Sequence, residues 1–534
     1  MNKVVNLLQQ YISEGQLEKA LVECKKFVQA NPSEIYPLKL LAHIYFLQEQ
    51  YRPAIETTLK IIDKKDDDFD SNNNLGSYYL KLEEFKKALF YIEKAKKINS
   101  DHPAPYQNHC ETLMKMRDFK GAVKYIDKCI SQHETYSNDY TSYKSTILLR
   151  VEIYTALKEQ SEAIKFIKKY LAIKFDAELL LHLVQIDKNE ASDEMINICK
   201  QKILNKTFGS KMERYQEQVP LYFSLAVFYE KTDPSTSDEF YIKANDEVTE
   251  IQRLTMIKFQ RAVLKIIDNY EIVKNFNAKN INKGKDNIFI LGMPRSGTTL
   301  TESIITANTQ VFGGGELMSF YDLAYRLLID KKYDERSFEM VGEQYINRTE
   351  FLLSNQNKIA DKLPNNYGFI GHIRKFLPGA KIILVLRNPW DLAVSLYKQR
   401  YVMNISFSSS FFNLGVQMAN FEASLLYWKK MSVLDKNVMI MKYEELVKNF
   451  DEYQKKLYDF CELNSKYEPE KRESFFAKTA SINQVQNKVH TESVKKNNFS
   501  DLKTEFQDAF YSQREFWKAK NIFEIPADFF GYSV

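Results

Sequence analysis

Residues 288–303 read IFILGMPRSGTTLTES, an apolar run that ends in glycine and gives way to a helix-like segment. Gly292 and Gly297 bracket Met293, Pro294, Arg295 and Ser296, and Thr298 and Thr299 follow. Strand, glycine loop and helix in that order turn backbone N–H groups and a helix N-terminus toward one point, which favours an anion. Loops that hold ATP or GTP carry a lysine after the second glycine that reaches the β- and γ-phosphates. Here Thr298 stands in that place. Arg295, three residues earlier, supplies the cation, and a guanidinium forks onto a tetrahedral oxyanion with parallel hydrogen bonds. The loop suits a short phospho-sulfo group better than a magnesium-bound triphosphate.

The elements that must position this loop divide the chain. After it, four runs read as strands: NIFILG (287–292), NKIADK (357–362), AKIILVL (380–386) and NVMIMKY (437–443). Helical patterns separate them, which points to a parallel sheet covered on both faces. Such sheets bind ligands at the carboxyl ends of their strands. Before the loop the chain repeats itself. Ala20, Ala54, Ala88 and Ala122 recur at a step of 34, and Ala163 follows after an insertion in SQHETYSNDYTS (131–142). Ala42, Gly76 and Cys110 keep the same step. A fixed period of this length implies an α-solenoid of helix pairs. Residues 246–287 change character, from helical to the polar, basic NAKNINKGKDN.

The repeat resembles the tetratricopeptide repeat over about residues 1–175, with a degenerate copy at LYFSLAVFYEKTDPSTSDEFYIKAN (221–245). GMPRSGTTL (292–300) resembles the 5′-phosphosulfate loop of sulfotransferases that use 3′-phosphoadenosine 5′-phosphosulfate. FLPGAKIILVLRNPWDLAVSLYKQ (376–399) resembles their 3′-phosphate-binding segment, and GGGEL, ADKLPNN and KYEELVKNF keep the family order. Repeats fused to this domain resemble the tetratricopeptide–sulfotransferase proteins, whose catalytic half is similar to the tyrosylprotein sulfotransferases. The fold implied is α plus α/β, a repeat solenoid followed by a P-loop-like domain with a parallel sheet. The expected bounds are 1–245 for the solenoid, degenerate after about 175, then a linker over 246–287 and the sulfotransferase domain over 288–534.

The resemblance implies roles for individual residues. Pro294, Arg295, Ser296, Gly297, Thr298 and Thr299 hold the bridging phosphosulfate, and Arg387 and Ser395 hold the 3′-phosphate. Arg387 ends a strand, while Asn388 is a good N-cap and Pro389 suits the first helical position. Lys362 neutralises charge on the leaving side, and Glu316 is the general base for the acceptor hydroxyl. Tyr443 contacts the adenosine end. Lys488 is the nearest cation in the closing segment, where Gln486 departs from the pattern; Ser481 and Lys496 lie in the same stretch. Each has a plainer reading: Glu316 as a helix-start acid, Lys362 as a surface lysine beside Asp361, Arg387 as a partner of Asp391, Tyr443 as core.

Composition limits the rest. At roughly 150 residues per domain, 534 residues make two to four domains. Lysine and arginine number 75 against 70 acids, and a net charge of +5 gives no bulk attraction to nucleic acid. The five cysteines form no C-x-x-C pair, as expected of reduced thiols. The first residues read as an amphipathic helix without an apolar signal core, and no apolar run approaches the ~18–20 residues of a membrane span. A cytoplasmic enzyme is expected, with a nucleotide sulfate donor, a hydroxyl acceptor (protein tyrosine, carbohydrate or small alcohol) and no metal. The repeats would bind a protein or peptide partner, or only support their neighbour. Two rival readings are a P-loop nucleotide kinase and a repeat scaffold with an inactive α/β domain.

Overall fold

The computed structural model describes the chain except for residues 1, 137–139, 206–207, 253–255, 331–333, 402–405, 465 and 474–498. The described residues form two compact units, Met1–Leu157 and Lys158–Val534.

The first unit is a stack of antiparallel helix pairs. Its first helices run Asn2–Ser13, Ile35–Leu47, Phe69–Lys81, Ala104–Lys115 and Tyr140–Ala156, and the second helices Leu17–Ala30, Tyr51–Ile62, Phe85–Ile98 and Phe119–Tyr136. The alanines at the 34-residue step, Ala20, Ala54, Ala88 and Ala122, are all fully buried. They sit where two helices cross too closely for a larger side chain; at Gly76 a Cβ would lie 2.5 Å from Ile92 Cγ1. The period also appears in the turns. Gly15, Glu49, Glu83 and Arg117 all have positive φ (72°, 58°, 55° and 66°), and Lys158 has the same conformation. At each of the four, two bonds close the helix end, as in Glu49 N to Phe46 O (2.9 Å) and Gln50 N to Tyr45 O (2.8 Å).

The second unit contains a parallel sheet. Its strands are β1 (Asn287–Gly292), β2 (Val311–Gly315), β3 (Lys358–Asp361), β4 (Lys381–Leu386) and β5 (Val438–Lys442), in the order β2-β3-β1-β4-β5. Every pairing is parallel. Four of these strands lie in the runs marked by the sequence. β2 does not, because VFGGG is mostly glycine, a residue depleted from strands.

One face of the sheet buries Ile288, Ile290, Ile383, Val385 and Met441 under Ile304, Ile305, Leu446 and Leu457 of the covering helices. On β1, Phe289 instead packs with Phe320 (5.5 Å) and Tyr345 (5.3 Å). β1 is buried along its whole length, as a central strand covered on both sides must be. The helices between Gln160 and Val273 belong to this same unit. Among the described residues no helix is long and apolar enough to cross a membrane. All five cysteines are buried free thiols.

Candidate active site

The phosphate loop follows β1 and enters the helix Thr298–Thr306 through Gly297. Gly297 adopts φ 107°, and a Cβ there would run into the Tyr443 ring. A Cβ on Gly292 would lie 2.5 Å from Val385 O and 2.7 Å from Ser296 Oγ. Both glycines are thus demanded by close approach. Arg295 also takes a left-handed conformation, φ 70°, unusual for a side chain of its size. Gly297 has no side chain to cap the first helical turn. Ser296, Thr298 and Thr299 are buried, and Pro294 and Arg295 are partly buried.

Arg387 directly follows β4, and the helix Pro389–Tyr397 begins two residues later. Asn388 caps that helix, its Oδ1 accepting from Trp390 N (3.0 Å) and Asp391 N (3.1 Å). Glu444 fixes the turn from outside: its Oε1 accepts from Asn388 N at 2.8 Å and its Oε2 accepts from Tyr532 OH at 2.5 Å. Two turns on, Ser395 Oγ accepts from Arg295 Nε at 3.1 Å. Arg387 Nη1 donates to Arg295 O at 2.8 Å. Arg295 and Arg387 therefore adjoin. Tyr443 joins them, with the Arg387 guanidinium 4.7 Å from its ring centre while the ring also packs on the sheet core. Burial lowers the Arg295 pKa, which Tyr401 and Tyr443 raise and Arg387 lowers further; a guanidinium remains charged across the physiological range regardless.

Glu316 and Lys362 come from two neighbouring strand ends. The register of β2 on β3 slips between Gly313 and Gly315, a bulge that turns the following residue out of the sheet. Glu316 is exposed there, and Lys362 Nζ donates to its Oε1 at 2.6 Å. The Lys362 side chain is 1% exposed against 42% for Glu316, so Lys362 is no surface lysine. Two further bonds lock the strand end: Lys362 N to Gly315 O (2.8 Å) and Gly315 N to Glu302 Oε1 (2.9 Å). Glu302 is fully buried in the helix that the phosphate loop opens. It therefore ties the Glu316 turn to that loop.

Sequence reasoning missed Glu302, Glu444 and Tyr401. The signal for Glu302 was an acid amid Leu300, Ile304 and Ile305 on a buried helix; that for Glu444 was an acid directly after a strand. Lys488, Ser481 and Lys496 lie outside the described residues. Among the described residues no group of three or more His, Cys, Asp or Glu could hold a metal ion.

A glycine loop joins a buried parallel strand to a helix, and Arg295 of that loop lies beside Arg387 after β4. Comparison with known proteins shows what the parts of the chain are similar to. Residues 287–468 match the sulfotransferase family, and residues 69–102 match the tetratricopeptide repeat. The chain thus joins a tetratricopeptide repeat to a sulfotransferase-family domain. An uncharacterised protein of Aquifex aeolicus (strain VF5) is 29% identical over 371 residues, covering 65% of this chain. The match spans 47% of that relative, about half its length. Among solved structures, the sulfotransferase domain of the curacin biosynthetic pathway is 15% identical (TM-score 0.27; 45% of this chain, 98% of that one). A sulfotransferase of Mycobacterium avium is 13% identical (TM-score 0.29; 63% and 97%). A thermophilic tetratricopeptide repeat protein of Thermus thermophilus is 16% identical (TM-score 0.30; 35% and 97%).

Proposed function

We propose that the chain transfers a sulfuryl group from 3′-phosphoadenosine 5′-phosphosulfate to an acceptor hydroxyl. The observation that carries this reading is the bond from Arg295 Nε to Ser395 Oγ, with Arg387 held on Arg295 O. It makes one continuous basic cradle from the loop and the β4 turn. Such a cradle suits a ligand with an anion on each side of a ribose. In this reading Pro294 to Thr299 wrap the bridging phosphosulfate, with Arg295 as the cation. Arg387 and Ser395 take the 3′-phosphate, Tyr443 borders the nucleoside, and Lys488 is a further nucleotide-binding cation.

In the transfer, the sulfur–oxygen bond to the 5′-phosphate breaks and a sulfur–oxygen bond to the acceptor forms. The leaving 3′-phosphoadenosine 5′-phosphate keeps the electron pair, and the acceptor proton passes to Glu316. Lys362 sets the direction of the Glu316 carboxylate and offers charge to the leaving side. Positioning and charge stabilisation supply most of the rate in such transfers. The acceptor is a protein tyrosine, a carbohydrate or a small alcohol, recruited or shaped by the repeats in the cytoplasm. Calorimetric titration in chelator tests the donor: 3′-phosphoadenosine 5′-phosphate binds far more tightly than ATP. Tighter ATP binding would overturn the proposal and favour a kinase.

A further inference from the structure

The segment that follows the Ser395 helix is pinned by helices from the preceding part of the same unit. Asn245 Nδ2 donates to Tyr397 O at 2.9 Å, and Lys398 pairs with Glu230 at 3.1 Å. Arg400 Nη1 donates to Glu178 Oε1 at 2.6 Å, with both side chains largely buried. Tyr215 OH then donates to Tyr401 O at 2.9 Å. Tyr215 belongs to a π-helical turn, Arg214–Gln218, a feature often found where a helix is adapted to function. Four residues on or at the ends of these helices, spread from 178 to 245, thus hold residues 397–401.

What this fixes is the Tyr401 phenol. Tyr401 is half-buried as a residue, but its hydroxyl oxygen is buried and has no hydrogen-bond partner among the described residues. Two charged groups act on it, Arg295 of the phosphate loop and Glu316 of the β2 turn. Burial raises its pKa above that of an ordinary tyrosine, Arg295 opposes this and Glu316 adds to it, so the group is a neutral O–H donor near pH 7. A buried hydroxyl without a partner is costly. Preorganised donors of this kind are most useful where a ligand's charge completes them.

We propose that Tyr401 donates its O–H to the sulfuryl group of the bound donor, between the Arg295 that holds the bridging phosphosulfate and the Glu316 that faces the acceptor. This rests on the donor reading given above. It also gives the helices between Glu178 and Asn245 a task, which is to hold a substrate-touching residue in place. The test compares wild type and Tyr401→Phe by calorimetry with two probes, 3′-phosphoadenosine 5′-phosphosulfate and its product 3′-phosphoadenosine 5′-phosphate. The variant loses about 10-fold or more in affinity for the sulfated donor, the scale of a hydrogen bond to a charged group, and keeps its affinity for the product. Equal changes for both probes, or none for either, would overturn the role of Tyr401 while leaving the donor reading intact. A wild-type protein that binds neither nucleotide overturns both.

Discussion

Under the proposed function, Glu316 and Lys362 form a single pair with both a structural and a chemical task. Lys362 is buried at the end of β3, and the carboxylate 2.6 Å away gives its ammonium an anionic partner. Glu316→Gln keeps the shape and one acceptor oxygen but removes the charge and the base. Donor affinity should stay within about 2-fold, because the proposed function sets Glu316 on the acceptor and not on the donor. Turnover of an identified acceptor should fall by roughly 10²–10⁴-fold, the usual worth of a positioned base. Stability should fall by about 1–3 kcal/mol, since a buried cation is left with a neutral partner, and saturating nucleotide should restore part of it. Near wild-type turnover would reduce Glu316 to a turn residue.

At the scale of elements, legibility in the sequence followed the chemistry of the backbone. The 34-residue period was visible because helix crossings admit only small residues, and the buried strands β1, β3, β4 and β5 were visible as apolar runs. β2 was not, since Gly313, Gly314 and Gly315 carry no pattern. Their use appears only in three dimensions, where a Cβ on Gly314 would lie 3.0 Å from Ala360 O. In the candidate site, the loop and β4 residues were legible from order and spacing. Glu302, Glu444 and Tyr401 were not, because their partners are distant in sequence. The repeat turns hide a similar requirement, since Glu49, Glu83 and Arg117 hold the conformation that Gly15 holds with glycine. A left-handed residue with a side chain costs about 1–2 kcal/mol, while glycine adds about 0.5–1 kcal/mol of unfolded-state entropy. Glu49 is exposed. Glu49→Gly should therefore stabilise the first unit by about 0.5–1 kcal/mol, the difference between these two costs, and Gly15→Ala should destabilise it. Thermal unfolding followed by helical circular dichroism reads both; a less stable Glu49→Gly protein would show that the Glu49 side chain does more than occupy the turn.

At the scale of the whole molecule, the second unit is more than a sheet with its covering helices. The helix Met256–Val273 buries Val263, Tyr270 and Val273. Tyr270 meets Trp428 (5.1 Å) and His372 (5.9 Å), and a Cβ on Gly371 would lie 2.5 Å from both Trp428 and Tyr270. His372 is therefore enclosed where three helices meet, with Phe369 and Phe376 on its other sides. Burial lowers its pKa from 6.5 to about 4. Between about pH 6.5 and 4 the unfolded chain protonates this imidazole and the folded chain does not. The stability that neutral His372 contributes is thus fully present above pH 6.5 and is lost as pH falls toward 4. A difference of this size is worth about 3 kcal/mol. All three tryptophans, Trp390, Trp428 and Trp517, lie in the second unit, so their fluorescence during urea unfolding reports on it. Other carboxylates and histidines titrate in the same range, and comparison with His372→Leu removes their common contribution. The wild-type protein should lose about 3 kcal/mol relative to the variant on going from about pH 7 to about pH 4. Parallel curves for the two proteins would mean that His372 protonates as readily in the folded unit as in the open chain, and that the aromatic seam admits water.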